Sequence, residues 1–226
     1  MLGFKINRCR RRIQPEVVAR FRTLPTANVS DVMARMVAAG PSLRPMHAGG
    51  TMVGPAFTVK TRPGDNLMVH KALDLAEPGD VIVVDADGDL TNALIGEIMT
   101  SYAERRGIAG IVIDGAIRDS AELRASNFPV YAAGVTHRGP YKDGPGEING
   151  PIALGGMVIE PGDLILGDND GLVCVKFDQV ETVWQAAHAK HLAEDTIIAN
   201  IRAGVPQDRA WIDEALQRLG CDIEPG

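Results

Sequence analysis

The chain has 226 residues, 45% hydrophobic but only 4% aromatic, enough for one substantial core built from aliphatic side chains. Its 23 basic and 29 acidic residues leave a formal charge of −6, which argues against a nucleic-acid binder working through a broad positive field. Cys9, Cys174 and Cys221 form no close pair, which argues against a C-x-x-C metal site and for free thiols in a reducing cytoplasm.

Residues 1–15 read as an irregular arm with a basic cluster (Lys5, Arg8, Arg10, Arg11, Arg12), either solvated or lying on a neighbouring subunit. No apolar stretch follows to make it a targeting signal, and no run approaches the length of a membrane span. Pro15 suits the first turn of a helix through Phe21. A second helix is expected from a Thr26 or Asn28 cap to Gly40, with Val29, Val32, Met33 and Met36 as its apolar stripe. Residues 51–61 are β-branched and roughly alternating, a strand whose Gly54-Pro55 interruption suits an edge or a bend. Asp65 or Asn66 then caps a helix carrying Leu67, Val69, Leu73 and Leu75.

The uninterrupted run Val81–Val84 implies a strand buried on both faces, followed by the acidic turn D-A-D-G-D. A helix is expected over Thr91–Arg106 with Gly107 at its end, then the strand I-A-G-I-V-I-D, a short helix Ser120–Ser126 and the strand F-P-V-Y-A-A. The run from Gly134 to Pro151 is too rich in turn formers for regular structure and reads as a functional or mobile loop. Hairpin-like strands follow. The phrase E-P-G-D ahead of an apolar strand occurs twice, at Glu77–Asp80 and Glu160–Asp163. An amphipathic helix over Asp178–Ala203 and a shorter one over Asp208–Leu219 close the chain, a tail suited to packing on another subunit.

Most candidate motifs fail on chemistry. The acidic turns at Asp85–Asp89 and Asp168–Gly171 lack the glycine and glutamate of a calcium loop and read as plain turns. His188 and His191 share a helix face without the H-E-x-x-H of a zinc protease, and His70 and His137 are isolated. No nucleophile elbow, P-loop or dinucleotide fingerprint is present. What remains is the stretch from Gly96 to Asp119. A glycine at a helix start lets the N–H groups of Gly96, Glu97, Ile98 and Met99 approach a carboxylate or enolate oxygen. Arg118 offers a planar fork to a carboxylate, and Asp119 a hard oxygen ligand. On residues alone, a salt-bridged helix start explains the Arg118–Asp119 pair equally well.

The run G-E-I-M…G-I-A-G-I-V-I-D-G-A-I-R-D…F-P-V-Y-A-A-G-V-T-H-R-G-P and its continuation N-G-P-I-A-L-G-G-M-V-I-E-P-G-D-L-I-L-G-D-N-D-G resemble the RraA-like family. That family holds 4-hydroxy-4-methyl-2-oxoglutarate and 4-carboxy-4-hydroxy-2-oxoadipate aldolases as well as shorter regulators of ribonuclease E. The resemblance implies an α/β fold, a compact β/β/α-type sandwich of the swivelling-domain kind. It implies a single domain over 1–226, with an N-terminal arm and helix over 1–25 and C-terminal helices over 178–219 at a subunit interface. It further implies a homotrimer or a dimer of trimers with sites between subunits. Carried over by residue, Gly96 to Met99 would hold the pyruvyl carboxylate and carbonyl. Arg118 would be the substrate-binding and catalytic arginine, and Asp119 the ligand of Mg²⁺ or Mn²⁺. Glu97 falls where the family has an acid near the metal, Lys142 matches a further substrate contact, and Glu194 a further metal-side acid.

The activity so implied is metal-dependent (class II) aldol cleavage of small 4-hydroxy-2-oxo acids to pyruvate in the cytoplasm, with oxaloacetate decarboxylation as a side reaction and neither nucleic acid nor membrane as partner. Two rivals stand beside it. One is a metal-free regulator that binds ribonuclease E, which the extra arm and late helices disfavour. The other is a Schiff-base aldolase using Lys142 or Lys71, which the polar setting of Lys142 disfavours.

Overall fold

The computed structural model describes residues 3–222. Its first elements are β1 (Phe4–Ile6), α1 (Pro15–Phe21), α2 (Thr26–Val32), β2 (Arg44–Pro45), β3 (Met52–Thr61) and α3 (Leu67–Leu75). The central part holds β4 (Val81–Ile95), α4 (Glu97–Arg105), β5 (Gly110–Ile117), α5 (Ser120–Ala125) and β6 (Val130–Val135). Then come β7 (Gly146–Ile148), β8 (Ile152–Leu154), β9 (Met157–Ile159), β10 (Leu164–Asp168), β11 (Gly171–Val175), α6 (Val180–Arg202) and α7 (Ala210–Arg218).

The middle of the main sheet is parallel, in the order β3-β4-β5-β6. Successive residues of a strand face opposite sides, so a wholly apolar strand feeds two cores. Strand β4 does this: Ile82 and Val84 join one cluster, Val81 and Val83 the other. On the first face, Met68 and Val69 of α3, Met99 of α4 and Leu123 of α5 cover Val59, Ile111 and Ile113. On the second, Ile152, Leu154, Met157 and Ile159 of the β8/β9 hairpin cover Val112 and Tyr131. Helices on one side and a second β layer on the other make the β/β/α sandwich.

Gly54-Pro55 lies inside β3, where the strand changes partner: Met52–Pro55 pair antiparallel with β10, and from Ala56 β3 pairs parallel with β4. A proline is tolerated where a strand exchanges one partner for another. The β10/β11 hairpin carries a third cluster, in which Leu164, Leu166, Val173 and Val175 pack with Phe21, Val29 and Val183 from α1, α2 and α6.

Several expectations are corrected. The N-terminal arm is not irregular: β1 pairs in parallel with β7, and Asn7 N–H donates to Ile148 O at 3.0 Å. Its arginines explain the repeated E-P-G-D phrase. In each copy the aspartate Oδ2 accepts the glutamate N–H three residues back, at 2.9 Å for both Asp80–Glu77 and Asp163–Glu160. Arg12 pairs with Glu77 at 2.6 Å and reaches Asp80 at 3.6 Å, while Arg11 pairs with Glu160 at 3.1 Å and reaches Asp163 at 3.7 Å. Two adjacent arginines thus hold the two equivalent turns.

Helix α2 ends at Val32 rather than near Gly40, because Ala34 and Arg35 adopt left-handed backbone (φ 55° and 60°) and leave Met36 at the surface. Residues 91–95 are strand, not helix: after a bulge at the acidic turn, Ala93 and Ile95 rejoin β5 at Ala116 and Ile117. The glycine-rich run contains β7, which pairs with β3 as well as β1.

By its contacts the chain forms two compact units, one ending at His188 and the other beginning at Ala189, within α6. In the first, α6 buries Val180, Val183 and Ala187, and Trp184 stacks on His188 at 4.9 Å. The second carries Leu192, Ile197, Ile201 and Trp211 exposed, with an ion pair of 2.6 Å between Lys190 and Glu194. Among the described residues no helix is long and apolar enough to cross a membrane.

Candidate active site

Arg118 and Asp119 follow β5 directly, and Gly96 follows β4 directly. Both are carboxyl ends of adjacent parallel strands, the place where α/β sheets expose backbone and side chains to ligands. The two ends are tied together: Arg118 N–H donates to Ile95 O at 3.0 Å, and Glu97 N–H donates to Asp119 Oδ2 at 2.9 Å.

Asp119 caps α5 in the left-handed region (φ 52°, ψ 42°), which an aspartate tolerates better than most residues but which still carries strain. That conformation turns its carboxylate back over the start of α4. Gly96 is needed there for space rather than for its backbone angles, since φ −155° suits any residue. A Cβ at position 96 would overlap Asp119 Oδ2 and stand 2.9 Å from Arg118 Cγ. Arg118 Nε lies 3.7 Å from Asp119 Oδ2, and both side chains remain partly open to solvent, at 44% and 37%. This ion pair is looser than a closed bidentate pair, so the fork stays available to an incoming anion.

Between these strand ends and the glycine-rich loop is a cavity of about 160 Å³. It is lined by Arg118, Asp119, Met99, Asn66, His70 and Lys142, among others. Lys142 is carried by a loop that is anchored rather than slack. Asp65 is fully buried, and its Oδ2 accepts the N–H groups of Asp143 at 2.7 Å and Gly144 at 2.9 Å. Its Oδ1 accepts Leu67 N–H at 2.9 Å, and Arg62 pairs with it at 3.1 Å. Ala93 N–H donates to Arg138 O and Asn92 Nδ2 to Gly139 O, which binds the same loop to the end of β4.

His70 stands at the cavity rim. Partial burial lowers its pKa and the nearby Lys142 charge lowers it further, against an opposing pull from Asp74. The unfolded imidazole takes its proton near the usual 6.5, the folded one only at lower pH, so stability present above 6.5 is lost as pH falls below it. His70→Gln should therefore flatten the acid-side loss of stability, read as urea midpoints between about pH 7 and pH 5.

The structure thus brings Gly96, Ile98, Met99, Arg118, Asp119 and Lys142 together around one cavity. Two of the four expected backbone donors are already engaged within the chain: Glu97 N–H at Asp119, and Met99 N–H at Gly96 O, 3.1 Å away. The Glu97 side chain is exposed and lines an adjacent small cleft with Glu104 and Glu122. Glu194 lies in the second unit, paired with Lys190. Among the described residues no three acids, histidines or cysteines cluster as a metal cage. The carboxylates of the acidic turns are occupied within the chain: Asp85 Oδ1 accepts Asp87 N–H and the Lys60 ammonium, and Asp168 accepts both N–H and hydroxyl of Thr26.

A larger cavity, about 460 Å³, lies beside the N-terminal arm between β3 and the Glu77–Asp80 turn, away from the carboxyl ends of β4 and β5. The smaller one is the candidate site, because the strand-end arginine and aspartate converge there.

Sequence reasoning read Asp65 and Asn66 only as helix caps. Their partners sit far along the chain, 78 positions from Asp65 to Asp143 and 28 from Asn66 to Leu94, beyond the reach of any local signal.

Comparison with known proteins identifies the family and the fold. The RraA-like family model, described as Aldolase/RraA, matches residues 26–174. A protein of Halalkalibacterium halodurans named "Putative 4-hydroxy-4-methyl-2-oxoglutarate aldolase" is 41% identical over 201 residues, covering 89% of this chain and 96% of that protein. An uncharacterised protein from Pseudomonas syringae pv. tomato superimposes with a TM-score of 0.77 at 29% identity, covering 85% of this chain and 95% of that one. RraAS2 of Streptomyces coelicolor, described as an unusual member of the RNase ES inhibitor RraA protein family, gives a TM-score of 0.74 at 27% identity over 82% and 96% of the two chains.

Proposed function

The chain belongs to the RraA-like family, and on that premise we propose that it is a divalent-metal-dependent (class II) aldolase. It would cleave 4-hydroxy-2-oxo acids such as 4-hydroxy-4-methyl-2-oxoglutarate to pyruvate, and decarboxylate oxaloacetate as a side reaction. The observation that carries the reading is the Arg118–Asp119 pair: a strained, left-handed aspartate locked by Glu97 N–H, beside a guanidinium left open to an anion. A purely structural salt bridge needs neither the strain nor the space that Gly96 leaves for it.

Both reactions break a C3–C4 bond and leave its electron pair on a pyruvate enolate. Arg118 binds the substrate carboxylate and the C2 oxygen, where that charge gathers. The start of α4 from Gly96 to Met99 adds the positive end of a helix, and Lys142 from the anchored loop holds a second carboxylate. Glu97, the acid at the same helix start, lines the adjacent cleft; turned toward the cavity, it would accept the C4 hydroxyl proton in the aldol case and return a proton to C3.

The donors present fit Mg²⁺ or Mn²⁺. Asp119 offers a half-exposed carboxylate with no histidine or cysteine cluster beside it among the described residues, and Mg²⁺ is commonly held by one or two carboxylates with water and substrate oxygens. Bound at Asp119, the cation supplies Lewis-acid stabilisation of the enolate charge. Glu194 is proposed to complete the metal side from a neighbouring copy in a homotrimer or dimer of trimers.

Pyruvate release from 4-hydroxy-4-methyl-2-oxoglutarate and from oxaloacetate, followed with a coupled dehydrogenase, is the direct test. Both rates should appear with Mg²⁺ or Mn²⁺ and vanish with EDTA. The likeness to RraAS2 supports a second reading, a non-catalytic regulator of ribonuclease E. Silence in both assays with either metal, together with inhibition of the ribonuclease, would establish that reading instead.

A further inference from the structure

Three buried side-chain atoms among the described residues lack a hydrogen-bond partner: His47 Nε2, Asn66 Oδ1 and Asn149 Oδ1. Asn66 is the one of these that lines the cavity of Arg118 and Asp119. Its residue is only 2% exposed. The orientation of its amide is not interchangeable: Nδ2 donates to Leu94 O at 2.8 Å and to Met99 Sδ at 3.5 Å, and a peptide carbonyl can only accept. Oδ1 is therefore a buried acceptor with no donor, set behind the surface of that wall, so a ligand reaches it only where the wall gives.

A buried acceptor without a donor is unfavourable, and one placed in a ligand cavity selects ligands that bring the missing hydrogen. A carboxylate or keto oxygen cannot supply it. A neutral hydroxyl can. Met99, with its flexible thioether beside the amide, is the part of the wall able to yield as a ligand enters.

Resting on the aldolase reading above, we infer that Asn66 is a specificity-determining residue whose Oδ1 accepts the hydrogen of the substrate's C4 hydroxyl. The site is then built for hydroxylated 2-oxo acids over their deoxy counterparts, because a ligand without the hydroxyl leaves Oδ1 as unpaired as it is in the free protein. Asn66 is too weak a base to remove that proton. It holds the hydroxyl in the bound substrate and gives up the hydrogen to the general base in the cleavage step, so its contribution is to binding and falls chiefly on KM.

The test compares two reactions in one preparation, so that any loss of folded protein cancels. With Mg²⁺ present, kcat/KM is measured for cleavage of 4-hydroxy-4-methyl-2-oxoglutarate, which has the hydroxyl, and for decarboxylation of oxaloacetate, which lacks it. In Asn66→Ala and the milder Asn66→Ser, the ratio of cleavage to decarboxylation should fall roughly tenfold, mainly through KM. In the wild type, 4-methyl-2-oxoglutarate should bind as an inhibitor roughly tenfold more weakly than the hydroxylated substrate, and Asn66→Ala should close that gap. If both rates fall in proportion, or the wild type does not discriminate between the two ligands, Asn66 serves only to tie α3 to the end of β4 through Leu94 O, and the inference is overturned while the aldolase reading stands. If the wild type catalyses neither reaction, the proposed function falls and this inference falls with it.

Discussion

Asp119→Asn should lower metal-dependent pyruvate release by about a thousandfold or more and leave the fold intact. The substitution separates charge from architecture. Asparagine keeps an oxygen that can accept Glu97 N–H, now at 2.9 Å from Asp119 Oδ2, and it tolerates the left-handed backbone that Asp119 adopts at φ 52°. What it loses is the negative charge on the half-exposed face of the carboxylate, which is the hard ligand a divalent cation requires. The measurement is kcat/KM over a Mg²⁺ titration, with thermal unfolding alongside. A variant that melts like wild type but needs far more metal, or shows no turnover at all, has lost the ligand. Activity within a few-fold of wild type at ordinary Mg²⁺ would show that the Asp119 charge is not used.

Gly96→Ala should reduce kcat/KM by about a hundredfold, an effect far larger than its loss of stability, about 1–3 kcal/mol. The backbone at 96 is extended, so alanine meets no torsional penalty there. The penalty is steric and local. The added methyl overlaps Asp119 Oδ2 and crowds Arg118 Cγ, so the carboxylate must leave Glu97 N–H or the guanidinium must move. Either displacement misplaces the groups assigned to the metal and the enolate, and displacements of about 1 Å in such groups are worth about a hundredfold. A Gly96→Ala protein with wild-type kinetics would mean that the close approach is incidental to function.

Much of the site was legible in the sequence because its members are close in the chain. Gly96 to Met99 lie at one helix start, and Arg118 and Asp119 end a strand whose apolar run is plain. The helix pattern failed just upstream, at 91–95, where a bulge in β4 lets a polar-to-apolar stretch rejoin β5 as strand. Pairing across a sheet leaves no local period for a bulged segment, so propensity misreads it. The glycine-rich run reads from the sequence as a functional or mobile loop, and the structure shows it anchored. Its rigidity comes from the buried carboxylate of Asp65, a residue that from the sequence looked like an ordinary cap.

Composition and pattern alone determined that this is an aliphatic α/β chain of alternating strands and helices. They also marked the arginine–aspartate strand end as a candidate, because hydrophobic period and turn chemistry are properties of neighbours in the chain. Without the family resemblance, a salt-bridged helix start explains that pair equally well. Only the tertiary structure decided that Gly96 must be glycine, that Arg11 and Arg12 hold the two E-P-G-D turns, and that an acceptor on Asn66 waits in the cavity wall without a donor. Each of these depends on atoms from distant segments meeting within van der Waals or hydrogen-bond distance, and that meeting is set by the packing of the sandwich rather than by any local stretch.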